Sequence, residues 1–136
     1  MQKIILDTNV VVSALIQKNY PYLVVEYGIE GNSTICLSNE ILQEYMEVLN
    51  RPKFSRFYDF KANADFLIAR ISELAELYEP KNTLDLIEDE PDNRLLELAK
   101  TAKADFIITG NSNDFKMDKF EGTKMVTPKE FWEQHK

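Results

Sequence analysis

The chain has 136 residues, one cysteine, one histidine and a formal charge of -7 at neutral pH. That length suits one compact domain spanning residues 1–136, the single cysteine rules out a disulfide within the chain, and no apolar run is long enough to span a bilayer. The acidity argues against a protein that holds nucleic acid by bulk electrostatics, although carboxylates that bind divalent cations leave nucleic-acid chemistry open.

The opening residues lack the basic flank and long apolar core of a signal peptide, so a cytoplasmic protein with no membrane anchor is expected. Ile4, Ile5 and Leu6 form a β-branched-rich run without alternation, the pattern of a strand buried on both faces of a parallel sheet. Asp7 follows directly. In open α/β sheets the ligand crevice lies beyond the carboxyl ends of the strands, so Asp7 is predicted to point into it. Asn9 is expected to cap a helix carrying Val10 to Ile16.

After the turn at Asn19-Tyr20-Pro21, helical spacing of Leu23, Val24 and Tyr27 continues until Gly28 and Gly31 stop it. Thr34-Ile35-Cys36-Leu37 reads as a second strand, with Cys36 a core residue rather than a nucleophile. Ser38 is a good N-cap for a helix from Asn39 to about Asn50, on which Ile41, Leu42, Tyr45, Met46, Val48 and Leu49 fill one apolar arc. Glu44 lies at the edge of that arc.

Pro52 ends the helix. From Arg51 to Lys61 the basic residues Arg51, Lys53, Arg56 and Lys61 interleave with Phe54, Phe57, Tyr58 and Phe60. Such a mixture either packs the connection onto the domain or stacks unpaired bases while its cations meet phosphates. Arg51, Lys53 and Arg56 are the candidate nucleic-acid contacts. A further amphipathic helix is predicted through Phe66, Leu67, Ile71, Leu74 and Tyr78, with Glu73 and Glu76 as solvated charge.

An acidic run, Asp85 to Asn93, leads into a helix with Leu95, Leu98, Ala99 and Ala102 on one face. Asp92 in its first turn is placed to reach the crevice at the strand ends. Ala104 to Ile108 reads as a strand, followed by Thr109-Gly110 and then Asn111 and Asp114. The chain closes with the strand Lys124-Met125-Val126 and the capping signature Thr127-Pro128-Lys129-Glu130. His135 falls in a terminus expected to fray, which leaves histidine-based acid–base catalysis without a candidate.

Asp7, Glu44, Asp92 and Asp114 thus share one predicted location and form the candidate catalytic set. Hard cations such as Mg²⁺ or Mn²⁺ take oxygen ligands, and Asp7, Asp92 and Asp114 are the candidate metal ligands, with Glu44 beside them. Asn9, Thr109 and Asn111 would orient ligands and waters by hydrogen bonds. No cysteine–histidine cluster suggests zinc.

The pattern as a whole resembles the PIN-domain family of nucleases, in particular the toxin members of toxin–antitoxin pairs. The resemblance rests on Leu6-Asp7-Thr8-Asn9-Val10 with Ser13-Ala14-Leu15, then Leu37-Ser38, Glu44-Tyr45 and Leu49-Asn50-Arg51-Pro52-Lys53. It continues through Asp89, Asp92-Asn93 and Leu96-Glu97-Leu98-Ala99, Ala104-Asp105 to Thr109-Gly110, and Thr127-Pro128 with Phe131. It implies a three-layer α/β/α sandwich with a central parallel β-sheet, and cleavage of RNA dependent on Mg²⁺ or Mn²⁺. It further implies an acidic pocket at Asp7, Glu44 and Asp92, a cognate antitoxin as partner, and a homodimer. One departure stands out: many PIN domains carry aspartate directly after Thr-Gly, where this chain has Asn111, so the fourth acid is either Asp114 or absent.

Two rival functions start from the same residues. A haloacid-dehalogenase-like phosphatase would use Asp7 as nucleophile, but needs a second aspartate where Asn9 stands, and an amide cannot supply a catalytic proton. A PIN-fold binding module of weak or no activity, working through a protein partner, is the second.

Overall fold

Ile4, Ile5 and Leu6 are completely shielded from water, the condition under which an unalternating apolar run is stable as a strand covered on both faces. The computed structural model describes residues 1–80, 90–110 and 119–136, and for residues 90–92 the backbone alone. In chain order these form β1 (Lys3–Leu6), α1 (Thr8–Ile16), α2 (Tyr20–Ile29), β2 (Thr34–Ser38), α3 (Asn39–Leu49) and α4 (Phe60–Leu74). There follow β3 (Glu76–Tyr78), α5 (Glu90–Ala102), β4 (Phe106–Ile108), β5 (Lys119–Phe120), β6 (Thr123–Val126) and α6 (Pro128–Glu130), which runs on into a π-helical turn, Phe131–His135.

The described strands make one sheet in the order β3-β2-β1-β4-β6-β5, parallel except for the β5–β6 pair. The chain leaves β1 toward β2 on one side and later returns to β4 on the other. Right-handed crossovers in opposite directions put their helices on opposite faces. Helices α1 to α4 pack among themselves, while α5 lies across β1 to β4. The result is the α/β architecture expected from the sequence, with the order of strands reversing direction between β1 and β4.

The second crossover brings Glu44 toward the same edge. Ser38 Oγ accepts from Ile41 N at 3.2 Å and starts α3 at the end of β2. Ile41, Tyr45 and Leu49 then fall on its buried stripe, with Glu44 half-buried beside it. Met46, which the helical arc included, is instead 46 % exposed. The arc is wider than the surface available to cover it.

Several expectations are corrected by tertiary contacts. Helix α1 begins at Thr8 with the extended residue Asp7 in the capping position, so Asn9 lies within the helix and does not cap it. Gly28 sits inside α2, where a Cβ would approach Ile35 Cδ1 to 2.9 Å; it permits close packing on β2 rather than ending the helix. Tyr78 and Glu76 belong to β3, because the free edge of β2 offers a ladder from Cys36↔Glu76 to Ser38↔Tyr78 that outcompetes continued helix. On α4 itself, Phe66 is 69 % exposed although its spacing matches the apolar face. The terminus is held rather than frayed: Gln2 Nε2 donates to the His135 carbonyl at 2.6 Å, and the His135 ring lies 4.9 Å from that of Phe106. The predicted capping box at Thr127 and Glu130 is present, with both reciprocal bonds made.

Ser38 is almost fully buried and its hydroxyl anchors the first turn of α3. Ser38→Ala is therefore expected to cost about 1 kcal/mol, read from the midpoint of urea denaturation.

Candidate active site

The carboxyl ends of β1 and β4 are neighbours, and the residues that follow them meet. Asp7 N donates to the Ile108 carbonyl at 2.9 Å, which extends the ladder by one residue and fixes the Asp7 backbone. Thr109 N is similarly tied to the Val126 carbonyl at 2.9 Å. From that position Thr109 Oγ1 donates to Asp7 Oδ2 at 2.8 Å, joining residues 102 apart in the chain across the point where strand order reverses. Such a switch point is where open α/β sheets bind ligands.

Glu44 arrives from α3. Its Oε2 accepts a short hydrogen bond from Thr8 Oγ1 at the start of α1. One residue on, the buried Tyr45 hydroxyl donates to the Leu6 carbonyl, directly before Asp7. Two adjacent α3 residues thus clamp the segment from Leu6 to Thr8.

Electrostatically the site favours the neutral form of its buried acid. Burial raises the Asp7 pKa above its ordinary value of 3.8; the Thr109 hydrogen bond opposes the rise, the Glu44 charge adds to it, and the amides of Asn9 and Thr8 oppose it again. The Tyr45 hydroxyl is pushed up by burial first and by the Asp7 and Glu44 carboxylates next. No ion pair between described residues involves Asp7 or Glu44.

The remaining candidates fall as follows. Helix α5 ends at the opposite edge of the sheet, where the Lys3 ammonium reaches the Ala102 carbonyl at 3.3 Å. Its first turn, about 18 Å away along the axis, lies toward the edge that carries Asp7. The Asp92 backbone is in that turn, and Asn93 beside it is buried; the Asp92 side chain, Asn111 and Asp114 lie outside what is described, as do Glu88 and Asp89. Asn9 is exposed on α1 with its amide near Asp7. Arg51 is paired with Glu47 at 3.2 Å, whereas Lys53 and Arg56 rest over the rings of Phe54 and Phe57 at 5.2 and 4.9 Å. Cys36 is fully buried and its thiol is pushed up to about 11, chiefly by burial, which fits a core residue.

Thr8 and Tyr45 were not among the candidates drawn from sequence. Thr8 had only its position after Asp7 to mark it, and Tyr45 reads as core from its spacing. Their polar partners lie 36 and 39 residues away, information that no local pattern carries.

The donors at this edge are all oxygens, the set that suits a hard divalent cation. Among the described residues no three acidic, histidine or cysteine side chains come together as a metal site; Asp7 and Glu44 provide two.

The sequence profile of the PIN domain matches residues 3–113. The chain belongs to the PIN-domain family. PIN domains are generally nucleases, and the fold just described is the PIN-like α/β fold. An uncharacterized protein of Methanocaldococcus jannaschii, MJ1680, is 28% identical over 141 residues, an alignment that takes in 97% of this chain and 90% of that protein. No helix among the described residues of this PIN domain is long and apolar enough to cross a membrane.

Two outcomes follow from the geometry. Tyr45→Phe leaves the buried Leu6 carbonyl without its donor and is expected to cost about 1–3 kcal/mol by urea denaturation. For Asp7 the raised folded pKa means that folding takes up a proton. Its contribution is complete below the ordinary value of 3.8 and is lost as pH rises through the folded value. In EDTA, Asp7→Asn is expected to remove that part of the decline in stability, seen as a flatter plot of unfolding free energy as pH rises above 3.8.

Proposed function

We propose that this PIN domain, acting as a single unit over residues 1–136, hydrolyses phosphodiester bonds of RNA with Mg²⁺ or Mn²⁺ and serves as the toxin of a toxin–antitoxin pair. The observation that carries the reading is the half-buried Asp7 carboxylate, held by Thr109 at the strand-order switch within the field of Glu44 and with no ion-paired cation among the described residues. Water exclusion makes such a pair of acids costly unless a cation joins them.

In this reading Asp7, Asp92 and Asp114 hold the cation directly or through water, and Glu44 completes the acidic set. When bound, the cation would lower the pKa of a coordinated water and offset charge on the phosphate. The chain's own residues do the positioning. Thr109 fixes the plane of the Asp7 carboxylate by taking one of its oxygens. Thr8 does the same for Glu44, and Tyr45 locks the backbone directly before Asp7. Asn9 and Asn111 supply neutral polar groups for waters and phosphate oxygens, where Asn111 replaces an acid and weakens the total cation charge that the pocket can balance. Burial of the acids matters equally, because electrostatic attraction for a cation grows as water is excluded. A cytoplasmic location, a cognate antitoxin and a homodimer belong to the same proposal.

Cleavage of a single-stranded RNA in Mg²⁺ or Mn²⁺, stopped by EDTA and by Asp7→Asn, is the expected result. Thr109→Val, which keeps the shape and removes the hydroxyl, is expected to lower activity about 10- to 100-fold, with Thr109→Ser largely restoring it. Mn²⁺ should also raise the unfolding temperature of the wild type and not of Asp7→Asn. Wild-type protein that neither cleaves RNA nor is stabilised by either ion refutes the nuclease reading and leaves a PIN-fold binding module.

A further inference from the structure

The connection between α3 and α4 sorts its four aromatic rings sharply. Phe54 and Phe60 are buried and stacked, with centroids 4.8 Å apart and planes 17° from parallel, and Phe57 leans on Phe60 at 6.2 Å. These three account for the packing that the sequence allows. Tyr58 does not join them: it is 93 % exposed. The next residue, Asp59, adopts the left-handed region at φ 57 and ψ 15, which Asp tolerates better than most side chains. That reversal separates Tyr58 from Phe60 and starts α4 with Phe60 facing the core.

The cations of this connection are also sorted. Arg51 is neutralised by Glu47 and Lys61 by Asp65, the latter at 2.9 Å. Lys53 and Arg56 have no ion pair among the described residues, and each lies over a packed phenyl ring instead, at 5.2 and 4.9 Å. A ring face restrains the position of a cation while leaving its charge available to an anion. In a chain whose net charge is -7, one short connection thus carries exposed cations without an ion pair among the described residues and an unpacked aromatic ring, the groups that single-stranded nucleic acid requires: a flat platform for a base and positive charge for its phosphates.

We propose that Tyr58 is a base-stacking residue for single-stranded RNA, with Lys53 and Arg56 binding the flanking phosphates. The proposal rests on RNA being the substrate of this PIN domain and adds a preference for unpaired strands. Duplex RNA keeps its bases stacked on each other and offers Tyr58 none.

The test is fluorescence anisotropy of a labelled single-stranded RNA of about ten nucleotides, and of its duplex, in EDTA at several salt concentrations. The single strand should bind more tightly than the duplex. Tyr58→Ala should weaken single-strand binding about five- to a hundredfold with the salt slope unchanged, while Tyr58→Phe and Tyr58→Trp retain it. Lys53→Gln and Arg56→Gln should each lower the salt slope by about 0.7. Equal affinity of Tyr58→Ala and wild type overturns the proposal, as does absence of single-strand binding by the wild type. Metal-dependent cleavage with an indifferent Tyr58 would sink the stacking role and spare the ribonuclease reading. Tyr58-dependent binding without metal-dependent cleavage would do the reverse. A Tyr58→Ala protein that loses only self-association in light scattering assigns the ring to a protein contact and likewise overturns it.

Discussion

A hydroxyl just past the end of one strand holds a carboxylate just past the end of its parallel neighbour, and the rest of the site is arranged around that bond. Thr109 reaches Asp7 because β4 is the parallel neighbour of β1 and because both strands end at the same level of the sheet. The register Leu6↔Ile108 makes Asp7 and Thr109 the first residues beyond the paired ladder on each side. A shift of one residue in either strand would turn one of the two side chains to the other face of the sheet. The fully buried Ile4, Ile5, Leu6, Ile107 and Ile108 make such a slip costly, so the core sets the geometry of the polar edge.

That edge works against stability. Burial and the Glu44 charge both favour the neutral form of Asp7, and hydrogen bonds from Thr109, Asn9 and Thr8 oppose them. The fold tolerates this because the adjoining segments are over-determined: Tyr45 holds Leu6, Thr8 holds Glu44, and the Asp7 amide is bound to Ile108. Two acids kept close in a partly dry crevice are thereby prevented from relaxing apart. A cation joining the two acids, as proposed above, would offset their cost to folding.

The connection between α3 and α4 shows a second separation of structural and available groups. Phe54, Phe57 and Phe60 carry the packing, and two of the four basic residues are spent on carboxylates of the neighbouring helices. What is left over is one ring and two cations on the surface. Lys53 and Arg56 thus place positive charge locally in an acidic chain, and at physiological salt charges separated by more than about 8 Å are largely screened from each other.

The sequence by itself determined four of the six described strands, most helices and the family. Buried strands without alternation, N-caps at Ser38 and Thr127, and breakers such as Pro52 are local signals, and each is expressed in the structure because its physical cause acts within a few residues. It also singled out Asp7, Glu44 and Thr109. Tertiary structure alone decided what depends on a distant partner. The extended conformation of Glu76 to Tyr78 comes from the free edge of β2, the turn of Met46 and Phe66 toward solvent comes from where neighbouring elements stop, and the order of the His135 turn comes from Gln2 and Phe106. The roles of Thr8 and Tyr45 in fixing the acidic edge belong to the same class. Hydrogen bonds spanning tens of residues leave no periodicity in a sequence, so only the folded chain could reveal which hydroxyl meets which oxygen.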